Sequence, residues 1–133
     1  MSTNKKILVG MSGGVDSAVV AAILAKQGNE VIAYTLKLLE SFSVDEDGEE
    51  DNSKGCCSFE DIKDATRVCD KIGGISHVVQ NWKNQFYQTV IKPYIDGARD
   101  GVTTNPCITC NSSIKIPVLM AVAAKLGCST VAT

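Results

Sequence analysis

The sequence predicts an α/β fold: an open, mostly parallel sheet with helices on both faces. Three observations predict it. Short apolar runs alternate with stretches whose apolar residues recur at helical spacing. Glycines stand just past the helical stretches, at Gly28, Gly73-Gly74 and Gly127. A tight turn of small residues, Ser12-Gly13-Gly14, joins the first apolar run to the first helical stretch. Folds of this kind place their functional loops at the carboxyl ends of the strands.

The elements follow in order. Lys5–Met11 reads as a buried strand and Ser17–Lys26 as a helix stopped by Gly28. Glu30–Leu38 reads as a second strand. Residues 40–55 are acidic and lack periodicity, and are expected to form a mobile loop. Ser58 is placed to cap a helix, with Asp61 in a capping-box position. Ile62, Ala65, Val68, Cys69 and Ile72 continue that helix at the right spacing. Ser76–Gln80 is a short third strand. Lys83–Gly101 reads as a helix with Phe86, Val90, Ile91 and Tyr94 on one side, and Pro93 is expected to kink or divide it. Val102–Cys110 reads as a loop, Asn111–Leu126 as a helix, and Ser129–Thr133 as the start of a fourth strand. The 133 residues suit one domain or one piece of a larger protein, and an end on a strand tip makes a fragment the expectation.

Composition narrows the class. Hydrophobic residues are 44% and charged residues 21%, as in a core-forming globular chain. Glu40 to Gly55 holds seven acids and one lysine, a net −6 against −2 for the whole chain. The remainder is therefore +4, which permits a polyanionic partner without requiring one. No secretory signal is visible, and no segment approaches the ~20 apolar residues of a membrane helix. A cytoplasmic protein with no membrane partner is expected. Its six cysteines then read as thiols, metal or cluster ligands, or catalytic groups.

The stretch from Gly10 to Ser17 carries the chemistry of the first half. Glycines let backbone approach a ligand, and N–H groups at a helix start bind anions. Ser12-Gly13-Gly14-Val15-Asp16-Ser17 therefore reads as a phosphate cradle. It is neither the Walker pattern nor the dinucleotide G-x-G-x-x-G. With no lysine in the loop, phosphate charge falls to backbone dipoles and Mg²⁺, and Asp16 reads as a metal or water contact, or simply as a favourable first-turn acid.

The second informative stretch is Asn105 to Asn111, "NPCITCN". Cys110 is placed just before a predicted helix, where a thiolate is favoured. A nucleophile, half of a zinc site, part of an iron–sulfur site and a redox pair all remain open for Cys107 and Cys110. Cys69 and Cys128 read as small core residues, His77 and Trp82 as packed side chains, and Lys115 as a cation able to face phosphate but uninformative alone. Cys56 and Cys57, beside the acidic loop, are given no assigned role.

"SGGVDS" resembles the PP-loop of the ATP pyrophosphatase superfamily, which implies an adenine nucleotide alpha hydrolase-like fold. Together "GMSGGVDS", "CCSFEDIKDATRVCDKIG" and "NPCITCNSSIK" resemble the N-terminal part of the tRNA-specific 2-thiouridylases, across nearly the whole chain. The resemblance implies that Gly10, Met11, Ser12, Gly13, Gly14, Val15, Asp16 and Ser17 hold ATP with Mg²⁺, and that Leu36 contacts adenine through its backbone. It implies that Asn105, Pro106 and Cys107 touch the target base of tRNA, and that Cys110 is the catalytic thiol. ATP would adenylate the uridine C2 oxygen, and a sulfur supplied by a donor protein or a sulfide source would displace AMP. Many members carry Asp where this chain has Cys107. The cysteine suggests either a second redox thiol or, with Cys110, ligands of a [4Fe-4S] cluster. The competing readings are a PP-loop ligase or amidotransferase acting on a small molecule, and a non-catalytic ATP- or RNA-binding fragment.

Overall fold

A computed structural model describes residues 4–39 and 59–133. The acidic stretch, Cys56, Cys57 and Ser58 lie outside the described residues. Strands β1 (Lys6–Gly10), β2 (Glu30–Lys37), β3 (Ser76–Asn81) and β4 (Thr130–Ala132) form one sheet in the order β3-β2-β1-β4. Every pairing is parallel. The chain winds outward from β1 to β3 and then returns to the other side of β1. The carboxyl edge between β1 and β4 is therefore the topological switch point, where open α/β sheets bind ligands.

Helices cover both faces. Helix α1 (Val15–Lys26) and helix α2 (Phe59–Ile72) lie on one. Their core joins Ala21, Ala65 and Cys69 to Ile7, Val9, Val31 and Ala33 of the sheet. The opposite core joins Leu8, Ile32, Tyr34 and Leu36 to Val90, Ile114, Val118 and Leu119. The odd–even split of strand residues between the two cores follows from the two-residue period of a strand. Burial raises the pKa of Cys69, as a core thiol requires. Leu8 has no exposed surface. Leu8→Ala is expected to cost about 3 kcal/mol, read as a lower denaturant midpoint in chemical unfolding.

Three expectations about the helices need correction. Pro93 does not divide its helix. Helix α3 (83–99) runs through an α segment Lys83–Phe86, a π turn Tyr87–Ile91 and an α segment Lys92–Arg99. Helix α4 (Pro106–Lys125) is built alike, with a π turn Asn111–Lys115 before Ile116–Lys125, which contains Pro117. Each π turn ends two residues before a proline. Its wider hydrogen-bond step absorbs the bond that proline cannot donate and eases the clash with the preceding turn. Tyr94 is not on the core side; it is exposed.

Helix α4 also starts earlier than its apolar periodicity suggests. Asn105 is its N-cap, accepting from the Cys107 N–H at 2.9 Å, and Pro106 opens the first turn. The residues read as a loop up to Cys110 are thus partly helix. The earlier start makes Pro106–Lys125 long and apolar enough, by length and composition alone, to cross a membrane, where the sequence reading found no such segment. Its buried residues, Cys110, Ile114, Val118, Leu119 and Ala123, belong to the core against the sheet. A core helix passes the same test.

Candidate functional site at the carboxyl edge of the sheet

The turn after β1 is held from two sides. The Met11 N–H donates to the Tyr34 carbonyl at 2.9 Å, and Thr35 Oγ1 donates to the Met11 carbonyl at 2.9 Å. Within the turn, the Ser12 N–H donates to Ser17 Oγ at 3.2 Å, and the Gly14 N–H to Ser12 Oγ at 3.3 Å. Ser17 is buried and its hydroxyl donates to the Gly14 carbonyl at 3.4 Å. The two serines thus brace the turn from within. Gly14 is the N-cap of α1 and offers no side-chain cap. The first-turn N–H groups of α1 are left for an anion.

Two glycines sit where a side chain would meet a neighbour. Gly13 has φ +80°, and a Cβ there would lie 2.4 Å from the Asp61 carbonyl oxygen. The start of α2 is therefore seated directly on the turn. At Gly10 a Cβ would meet Leu119 Cδ1 at 3.0 Å, so this glycine lets α4 close on the end of β1.

A cavity of about 320 Å³ opens beside the turn. Gly10, Met11, Ser12 and Leu36 line it, joined by Tyr34, Asn111, Lys115, Ile116, Leu119 and Thr133. Its position at the ends of β1, β2 and β4 is the switch point of the sheet. Gly13, Gly14, Val15, Asp16 and Ser17 do not line the cavity; Val15 and Asp16 are exposed at the start of α1. Asn111 was not singled out in the sequence, and Lys115 only as a cation able to face phosphate. They lie on the π turn of α4 and reach the cavity from across the sheet edge. Their signal was the "NSSIK" stretch, which has no meaning as a site until the topology brings it to β1. The lysine that the turn lacks in sequence is supplied by a distant helix.

The cysteines sit differently from their expected positions. Cys110 does not precede a helix; it is the fifth residue of α4, 6% exposed within the core. The helix-start position belongs to Cys107, which is exposed. Their i, i+3 spacing puts both thiols on neighbouring positions of one helical turn. Asn105, Pro106, Cys107 and Cys110 do not line the cavity; its α4 residues begin at Asn111. A [4Fe–4S] cluster takes four ligands. Among the described residues no three His, Cys, Asp or Glu side chains gather to hold a metal, so these residues alone do not make a cluster site.

The remaining singled-out side chains are packed. Trp82 Nε1 donates to the Tyr34 hydroxyl at 2.9 Å, and Tyr34 donates in turn to Gln80. Burial raises the Tyr34 pKa, against the opposing Trp82 bond. His77 lies between two threonine hydroxyls, Thr35 Oγ1 at 2.8 Å from Nε2 and Thr66 Oγ1 at 3.1 Å from Nδ1.

The sequence profile of the tRNA methyl transferase HUP domain matches residues 5–133. A tRNA-specific 2-thiouridylase MnmA of Clostridium botulinum (strain Eklund 17B / Type B) is 46% identical over 132 residues, covering 98% of this chain and 35% of the relative. That of Clostridioides difficile (strain 630) is 45% identical over 133 residues, covering 100% and 35%. That of Rhizobium rhizogenes (strain K84 / ATCC BAA-868) is 41% identical over 128 residues, covering 96% and 31%. The chain thus spans about a third of the length of these curated relatives. Among solved structures, NMN synthetase from Francisella tularensis superposes with a TM-score of 0.54 at 21% identity, over 92% of this chain and 42% of that one. That likeness concerns the fold alone.

Proposed function

The chain belongs to the tRNA methyl transferase HUP-domain family, and on that premise we propose that it is the ATP-binding, adenylating part of a tRNA 2-thiouridylase. The observation that carries the reading is the cavity at the switch point, with Gly10, Met11 and Ser12, which lead into the braced glycine turn, on one wall and Lys115 on another. Residues Gly10 to Ser17 hold the phosphates, and the backbone of Leu36 contacts adenine. Lys115 supplies the side-chain cation. Mg²⁺ bound with ATP would supply charge neutralisation for the departing pyrophosphate. Asp16 is the carboxylate of the turn available to it.

The reaction has two displacements. The uridine C2 oxygen attacks the α phosphorus, and the bond to the bridging oxygen breaks, releasing pyrophosphate. The terminal sulfur of a persulfide on Cys110 then attacks C2, and the C2–O bond breaks with loss of AMP. Cys107 attacks the Cys110 sulfur, freeing the thiolated base and leaving a Cys107–Cys110 disulfide for an external thiol to reduce. The outer sulfur of the persulfide passes to the Cys110 thiolate from the persulfide of a sulfur-donor protein, whose own cysteine leaves as a thiolate; alternatively sulfide attacks Cys110 in the Cys107–Cys110 disulfide, which forms the persulfide and releases the Cys107 thiolate. Asn105 and Cys107, exposed at the start of α4, and the half-buried Pro106 between them meet the flipped base of a single-stranded tRNA loop. Cys110 is buried, so loading and transfer require the first turn of α4 to open. The thiols carry the sulfur here; for a cluster the described residues provide only Cys107 and Cys110. The reaction is placed in the cytoplasm, where tRNA and reducing thiols meet.

Incubation with tRNA, ATP·Mg and sulfide, followed by mass spectrometry of the digested nucleosides, tests this reading. The expected product is 2-thiouridine. AMP formed without tRNA supports a small-molecule ligase instead, and bound ATP with no AMP supports a binding module. Lys115→Ala is expected to weaken ATP binding by roughly tenfold and to flatten its salt dependence. Calorimetric titration at two ionic strengths measures both.

A further inference from the structure

We propose that His77 and Thr35 form a hydrogen-bonded brace, running from α2 through β3 and β2, that positions the phosphate turn at Met11. Thr35 is one of two buried polar residues among those described, the other being Ser17 within the turn itself. Its single hydroxyl proton is committed to the Met11 carbonyl at 2.9 Å. The same oxygen lies 2.8 Å from His77 Nε2. With its proton spent, Thr35 Oγ1 can only accept there, so Nε2 must carry a hydrogen. His77 therefore fixes the direction of the Thr35 hydroxyl, and Thr35 fixes the carbonyl at which the strand gives way to the turn.

The far side of the ring is anchored as well. His77 Nδ1 lies 3.1 Å from Thr66 Oγ1, whose alternative acceptor is the Ile62 carbonyl at 2.9 Å. With a neutral ring, Thr66 donates to Nδ1. With a charged ring, Nδ1 donates to Thr66 and the hydroxyl turns to Ile62. The Nε2–H to Thr35 bond survives in both states. Burial lowers the His77 pKa, against the charge of Asp70 on α2, so the neutral form with hydrogen on Nε2 is the one at neutral pH.

The brace ties together elements that otherwise reach the turn separately. Helix α2 already touches the turn where Asp61 sits on Gly13. Through Thr66 and His77 it also holds β3, the edge strand, and through Thr35 the entry of the turn. These are positioning residues: none lines the cavity. The inference rests on the nucleotide reading only for its ATP measurement.

Amide hydrogen exchange over Met11 to Gly14, without nucleotide, is the test. Thr35→Val and His77→Leu should speed exchange there by at least about tenfold, while exchange in α4 stays unchanged. Thr35→Ser and His77→Gln, which restore the hydroxyl and the Nε donor, should match the parent. The first pair should also weaken ATP binding by roughly tenfold. His77→Leu carries the test if Thr35→Val does not fold, since it leaves Thr35 in place. Parent-like exchange in His77→Leu overturns the brace, whatever happens to ATP. Faster exchange in a chain whose parent binds no ATP leaves the brace standing and removes the nucleotide reading.

Discussion

Gly13→Ala is expected to abolish measurable ATP binding, a loss on the order of 100-fold or more. Two costs combine. The residue sits at φ +80°, where a side chain costs about 1–2 kcal/mol. The added Cβ would also lie 2.4 Å from the Asp61 carbonyl oxygen and 2.7 Å from its Cα. Those are backbone atoms of a helix start, so nothing flexible yields. Either α2 lifts from the turn or the turn leaves the geometry that aims its N–H groups at phosphate. Gly74→Ala is the control. Gly74 has φ +70° but nothing within 4 Å of an added Cβ. It should lose about 1 kcal/mol of stability and bind ATP like the parent. Equal ATP titrations for the two variants would contradict this account of the turn.

Cys110→Ser is expected to separate the two half-reactions. ATP binding should stay within about twofold, because Cys110 does not line the cavity. Formation of 2-thiouridine should fall on the order of 10³-fold or more, as loss of a nucleophile does. The fold should survive, since a serine hydroxyl inside a helix can donate to the carbonyl one turn back. A ligase using the same turn has no need of this thiol and makes no 2-thiouridine, so AMP formation undiminished in the variant, with no 2-thiouridine from the parent, would favour that alternative. Parallel nucleoside analysis and calorimetry on parent and variant read the split.

Much of the fold was legible in the sequence because its signals are local. Strand–helix alternation and the glycine stops mark most elements to within a residue or two, and the phosphate turn is a contiguous pattern. The misreadings have physical causes. The start of α4 is signalled by Asn105 and Pro106, but its apolar periodicity becomes regular only later, so the first turn passed for loop. Once that turn is helix, Cys110 moves from a helix end into the core and Cys107 takes the terminal position. The π turns before Pro93 and Pro117 need a hydrogen-bond pattern that composition does not encode. Lys115 and Asn111 reach the cavity only because β4 pairs beside β1 and draws α4 across the sheet edge. Such a juxtaposition belongs to topology, not to any short stretch of residues.

The central claim is that the turn after β1 holds ATP for cleavage between its α and β phosphates. Incubation with Mg²⁺ and ATP labelled at the α phosphate, with and without tRNA, separates labelled AMP from labelled ADP. The account predicts AMP and pyrophosphate, formed only when tRNA is present and lost in Gly13→Ala. Labelled ADP as the product would place the cleavage at the wrong bond and contradict it.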